Sequence, residues 1–184
     1  MRIKVWSKTL LNVYDCLFNL TNEIDKIVEN FALNSCNFYG FNKTFQDIQK
    51  IIDLTDRKVT LINVKVLIEN ILLDLDDVSC KILTLKFVDK MPHDMVMEVL
   101  NIKRRTYFRK YNEAVSSFAC KLLTMGFDEE KIIKLIKNEK WILFLFNEYF
   151  EKETSKKQEP EISNSSILSL AIHNYKLNRK YSYV

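Results

Sequence analysis

Glycine, proline and histidine occur only twice each in this sequence of 184 residues, and cysteine occurs four times. Most tight turns and hairpins need Gly or Pro, so their scarcity favours helices joined by short polar connections. The cysteines form no CxxC pair and no histidine lies near one, so we predict no zinc or other metal site. There is no glycine loop for a phosphate and no Ser/His/Asp order. We therefore predict no catalytic residues, no cofactor and no enzymatic activity.

Long apolar runs are also missing. The segment WILFLF, at 141–146, is far shorter than the roughly 18 residues of a membrane span. The first residues carry Arg2, Lys4 and Lys8 among apolar positions, unlike a signal peptide. We expect a soluble cytoplasmic protein with no membrane partner. Its net charge of +4 is mild, so any affinity for nucleic acid must come from a local cluster of charge.

Apolar residues make up 47% of the chain and recur mostly at helical spacing. The exception is a stretch in which Val59, Leu61, Val64 and Val66 alternate as in a strand, but no turn residue separates it from the helical pattern that follows. We therefore predict an all-α multi-helix bundle that contains a helix-turn-helix. The regions are an N-terminal helical part (1–75), the helix-turn-helix (76–123), a C-terminal helical cap or interface (124–150), and a flexible linker and tail (151–184).

Residues 76–123 divide into three helical segments. A first helix over 76–90 is followed by a short one over 91–100, a break at 101–103 and a longer helix over 104–123. In the last helix one apolar face is predicted, at Tyr107, Tyr111, Ala114, Val115, Phe118 and Leu122. Its start holds five basic residues within eight positions, 103–110. A helix-turn-helix places such a helix in the DNA major groove.

The stretch LTLKFVDKMPHDMVMEVLNIKRRTYFRKYNEAVSSF resembles the helix-turn-helix of sigma factor region 4 and of related regulators in low-GC Gram-positive bacteria and their phages. Three sets of residues carry the resemblance: Leu83, Leu85 and Phe87 in the first helix, Val96, Met97, Leu100 and Ile102 in the second helix and turn, and Thr106, Tyr107, Arg109 and Ala114 in the third. It covers roughly a quarter of the chain. It implies a transcription regulator that binds DNA and associates with the nucleoid.

Three positions depart from that pattern. Met97 replaces a small residue, so the helices are expected to pack slightly further apart. Asn101 replaces the turn glycine, and Asn tolerates left-handed backbone angles better than most residues. Lys103 replaces a Ser or Thr N-cap, which costs about 1 kcal/mol of capping but adds a cation.

We predict that eight residues contact double-stranded DNA: Lys103, Arg104, Arg105, Thr106, Phe108, Arg109, Lys110 and Asn112. Arg105, Arg109 and Asn112 have the side chains that read base edges. Lys103 and Lys110 are phosphate anchors, and Phe108 is expected to point outward beside them. His93 is expected to face water.

Several alternatives remain open. The basic face could be an ordinary solvated surface, and the protein a helical adaptor that binds another protein. A sigma-type subunit that acts with RNA polymerase core is a further alternative, although the N-terminal part offers only the aromatic residues Phe38, Tyr39, Phe41 and Phe45 for promoter melting. The apolar segment 137–150 is expected either to cap the helix-turn-helix or to form an interface, in a homodimer or with a larger partner such as RNA polymerase.

Overall fold

A computed structural model gives the fold and describes residues 2–35, 41–154, 167–169 and 171–172. These residues are helical almost throughout and contain no strand, which confirms the predicted all-α multi-helix bundle. The helices are α1 (Arg2–Ser35), α2 (Phe41–Leu73), α3 (Asp77–Leu83), α4 (His93–Leu100), α5 (Arg104–Thr124), α6 (Glu129–Leu135) and α7 (Lys140–Thr154). A π-helical turn, Thr84–Val88, continues α3. The alternation that suited a strand lies inside α2, which is one uninterrupted helix.

The long helix α1 lies at the centre of the bundle. It packs against α2, α5, α6, α7 and the π-helical turn. Its buried residues include Trp6, Leu10, Leu17 and Ile24, each of which is 0% exposed. The N-terminal part therefore supplies core to the rest of the chain, so the regions predicted from sequence share one hydrophobic cluster.

The apolar C-terminal segment packs mainly against α1. Trp6 and Phe146 stack with their ring centroids 4.0 Å apart. The exposed fractions of Trp141 and Ile142 are both 0%. The predicted cap thus covers α1 rather than the back of α5, and its apolar side chains are largely used within the chain. Phe144 is 48% exposed, and a homodimer through this segment stays a prediction.

The boundary predicted for the linker is corrected by the structure. Residues 151–154 belong to α7, and Glu153 accepts a 2.8 Å hydrogen bond from Lys8 of α1. Further on, residues 167–169 and 171–172 are helical, and Ile167 and Ala171 are buried in the common core. Part of the predicted flexible tail therefore packs on the bundle. Residues 155–166, 170 and 173–184 lie outside the described residues, as do Phe38 and Tyr39 of the aromatic cluster.

A buried ion pair joins α2 to the turn before α7. The Nε atom of Arg57 donates to Oε1 of Glu139 over 2.9 Å, and Nε1 of Trp141 donates to the other carboxylate oxygen over 2.7 Å. Arg57 is 8% exposed and Glu139 is 0% exposed. Burial of charge is favourable only with such close partners, so this pair fixes how α2 meets α7.

Candidate nucleic-acid interface

The turn between α4 and α5 has the geometry expected from its sequence. Asn101 adopts the left-handed conformation, with φ 49° and ψ 48°, as predicted for the residue that replaces glycine. The N–H of Asn101 donates to the carbonyl of Glu98, and that of Ile102 to the carbonyl of Met97. These bonds satisfy two of the last carbonyls of α4 and end it sharply. The chain can therefore begin α5 three residues later.

The start of α5 has no side-chain cap. Lys103 is extended, with φ −69° and ψ 147°, and its side chain accepts no hydrogen bond from the helix. The lysine side chain has no acceptor, so it caps none of the first N–H groups of α5. The expected loss of the N-cap is therefore confirmed. Those N–H groups, together with the Lys103 ammonium, form the positive end of α5.

The inner face of α5 is held firmly in the core. All six residues predicted for this face are buried, with exposed fractions of 5% or less: Tyr107, Tyr111, Ala114, Val115, Phe118 and Leu122. They pack mainly against α3 and α1. Because helical positions two apart lie about 200° around the helix, fixing these residues also fixes the opposite stripe.

That opposite stripe is exposed and contains three of the predicted DNA contacts. Arg105, Arg109 and Asn112 are all exposed, as are Lys103 and Arg104 at the helix start. Thr106 and Lys110 are half-buried at the edges of the stripe. A shallow open groove continues along it, lined by Arg109, Asn112, Glu113, Ser116 and Ser117. All eight predicted residues are therefore exposed or half-buried, at the start of α5 or around its outer side.

The face is not purely positive. Glu113 lies 3.8 Å from Arg109, one helical turn away, and both side chains are more than half exposed. An exposed pair of this kind contributes about 0–1 kcal/mol. A phosphate could therefore displace the carboxylate at little cost. On α4, the acids Asp94 and Glu98 are also exposed, which leaves α5 as the basic element of the pair.

Phe108 does not point outward as predicted. It is half-buried and packs against the core, with its ring 5.4 Å from His93 and 5.1 Å from Tyr107. The guanidinium of Arg104 lies over the same ring at 5.7 Å. The reason is the short turn, which brings the start of α4 against the first turn of α5. Phe108 therefore positions the helix start and Arg104 rather than offering a free contact to a base.

The prediction that His93 faces water is also wrong. His93 is half-buried, and its Nδ1 atom lies 2.6 Å from the hydroxyl oxygen of Tyr107. Its ring also contacts those of Tyr107 and Tyr111 edge to face. Burial raises the pKa of Tyr107 to about 12, so its hydroxyl keeps its proton. This aromatic joint fixes α4 against α5, and no local sequence pattern links the two residues across the turn.

The described residues contain no group of three or more His, Cys, Asp or Glu side chains placed to hold a metal ion. No helix in the described part of the chain is long and apolar enough to cross a membrane. Cys16 is buried, whereas Cys120 is exposed. What distinguishes this surface chemically is thus positive charge on an anchored helix.

Comparison with protein families places part of the chain in a described family profile. The profile of a family described as "Protein of unknown function (DUF1492)" matches residues 48–119. This segment covers less than half of the chain and runs from the first part of α2 through most of α5. No curated protein matches the chain. No solved structure matches it either.

Proposed function

We propose that this protein binds double-stranded DNA in a sequence-specific way through the outer stripe of α5 and thereby regulates transcription. The observation that carries the proposal is the exposure of Arg105 and Arg109 on the side of α5 opposite its buried face. The apolar residues of α7 pack mainly against α1 and leave that side uncovered. The matched family is described without an activity, and support for DNA binding comes from these side chains and from the resemblance to sigma region 4.

Each residue has a role that follows from its chemistry. The forked guanidinium groups of Arg105 and Arg109 suit the two acceptors of a guanine edge, and the amide of Asn112 suits an adenine edge. Lys103, Arg104 and Lys110 flank them as phosphate contacts, with Thr106 able to add a hydroxyl donor. Phe108 acts indirectly, because it supports the Arg104 guanidinium from below.

The proposal is tested by the salt dependence of binding to a mixed-sequence duplex. Each neutralised phosphate contributes about 0.9 to the steepness of log K against log salt. We expect a steep loss of affinity between about 50 and 200 mM salt, and a slope smaller by about 2 in the double variant Lys103→Ala, Lys110→Ala, which removes two of the proposed phosphate contacts. A matched control is Lys134→Ala with Lys137→Ala, which removes equal charge from exposed positions in and after α6. Equal slopes in the two double variants would refute the proposal.

A second candidate, an adaptor that binds protein, is favoured by one observation. Met95 and Val99 lie one turn apart on α4 and are 50% and 54% exposed. A protein partner would use this apolar pair, and its binding would be abolished in Met95→Glu with little dependence on salt. Requirement for RNA polymerase is a separate question, tested by whether the core enzyme copurifies with the protein and whether promoter binding needs it.

A further inference from the structure

The outward face of α2 carries an apolar stripe with the spacing of a coiled coil. Its members are Phe45, Ile48, Ile52, Val59, Ile62 and Val66, which we call the α2 seam. Thr55 lies between Ile52 and Val59, and when it is included the spacing along the stripe alternates between three and four residues. This is the a/d repeat by which two helices pack along their length, with Ile52, Val59 and Val66 as β-branched residues at a.

The seam is separate from the face that α2 uses inside its own chain. Leu61, Val64 and Ile68 are 0% exposed and belong to the core. Val59, Ile62 and Val66 each precede one of these by two residues and therefore lie about 200° around the helix. A helix that is apolar on two opposite sides is expected to be covered on both.

The seam is both exposed and large. Its six residues are between 41% and 64% exposed. These fractions correspond to roughly 600 Å² of exposed surface. Leu73, which is 82% exposed, extends the stripe by one further residue. The total approaches the ~800 Å² that each partner buries in a stable interface. Contiguous apolar patches of this size mark contact sites rather than ordinary surface.

We propose that the α2 seam pairs in parallel with the α2 seam of a second copy of this chain. The charges beside the seam disfavour the antiparallel direction. Lys58 and Lys65 flank one edge, whereas Asp56, Asn63 and Asn70 flank the other. A parallel pair sets the lysines opposite asparagines, but an antiparallel pair sets Lys58 opposite Lys65 of the other copy.

The position of α1 limits the assembly to two strands. Along the lysine edge lies α1, where Asp25 accepts a hydrogen bond from Lys58 over 2.6 Å and Phe18 lies under the Lys65 ammonium. A third helix would need that edge.

Glu69 occupies a d position, but its carboxylate turns toward α1 to accept a 2.7 Å hydrogen bond from Tyr14. The repulsion between two such carboxylates is thereby reduced.

The test is the mass of the full chain in solution by sedimentation equilibrium. We expect twice the chain mass of 21.9 kDa. The variant Val59→Glu, Ile62→Glu should weaken self-association at least roughly 100-fold, because each copy places two charges in the seam. The control Val78→Glu, Phe144→Glu makes the same exchange at residues that are 47% and 48% exposed elsewhere, and should leave the mass unchanged.

A milder variant, Val59→Ala with Ile62→Ala, keeps helix-forming residues and should weaken association roughly tenfold with unchanged circular dichroism. Direction is tested with Ile48→Cys, which should form a disulfide between identical peptides of two copies on oxidation. A monomeric wild-type chain, a three-chain mass, association that survives the glutamates, or no such disulfide would overturn the proposal. None of these measurements depends on whether α5 binds DNA.

Discussion

The two helices α2 and α5 are built alike on the inside and differently on the outside. Each buries one stripe in the common core and leaves the opposite stripe exposed. On α5 the exposed stripe carries Arg105, Arg109 and Asn112, whereas on α2 it carries apolar residues such as Val59 and Ile62. An exposed cation is well solvated and selects an anion, but an exposed apolar stripe is stabilised only by another apolar surface. The outer stripes therefore point to different kinds of partner.

This difference matters more than the overall composition. A net charge of +4 over the whole chain would suggest neither partner. Because one helix concentrates the charge and another concentrates the exposed apolar surface, the two proposed activities occupy separate sites. Each can therefore be removed by mutation without the other, provided that the inner faces stay intact.

The largest effect is expected where α2 is anchored on its inner side. Glu139→Ala removes the carboxylate that receives hydrogen bonds from both Arg57 and Trp141. Since the buried guanidinium of Arg57 would lose this carboxylate, the free energy of unfolding should fall by about 3–5 kcal/mol. Urea unfolding followed by circular dichroism measures this loss. The exposed neighbour provides the control, as Lys137→Ala should change stability by less than about 0.5 kcal/mol. A loss below about 1 kcal/mol for Glu139→Ala would contradict the role of the pair.

The inner anchor of α5 should give a smaller effect that depends on pH. Tyr107→Phe removes the 2.6 Å contact with His93, so stability near neutral pH should fall by about 1 kcal/mol. Burial raises the pKa of Tyr107 to about 12, so folding favours its neutral form. That contribution is complete below about pH 10, the ordinary tyrosine pKa, and is lost as pH rises toward 12.

The gap in stability between wild type and Tyr107→Phe should therefore narrow or reverse between about pH 10 and 12. Denaturant unfolding of both proteins at about pH 8 and 11 measures it. Burial and the nearby Glu69 also raise the pKa of Tyr14 to about 12. Tyr14 is present in both proteins, so its contribution to the pH dependence cancels in the comparison. A gap that stays constant with pH would contradict the buried, protonated phenol.

The elements of α5 could be predicted from sequence because they depend on local rules. Helical spacing identified its buried face, and the tolerance of Asn for left-handed angles explained the turn. The joint between His93 and Tyr107 could not be predicted, because the two residues meet only after the turn folds α4 against α5. The same holds for Arg57 and Glu139, which lie 82 positions apart.

The sequence of α2 was harder to interpret for a different reason. Two apolar stripes offset by two residues place apolar side chains at alternating positions, such as Val59 and Leu61, or Val64 and Val66. This alternation has the period of a strand. Only the fold shows that Val59 and Val66 face outward, whereas Leu61 and Val64 lie in the core. A helix with apolar residues on two opposite sides therefore resembles a strand when its sequence is considered alone.

A comparably small effect is expected at the residue just before α5, and it has opposite signs for stability and binding. Lys103→Ser supplies the missing N-cap and should raise the free energy of unfolding by about 1 kcal/mol. The same change removes a cation from the positive end of α5, so the salt slope for DNA should fall by about 0.9. Lys103→Ala separates the two effects, since it removes the charge without adding a cap. If both variants bind DNA with the wild-type slope, Lys103 does not contact phosphate, and the DNA-binding stripe begins at Arg104 or Arg105.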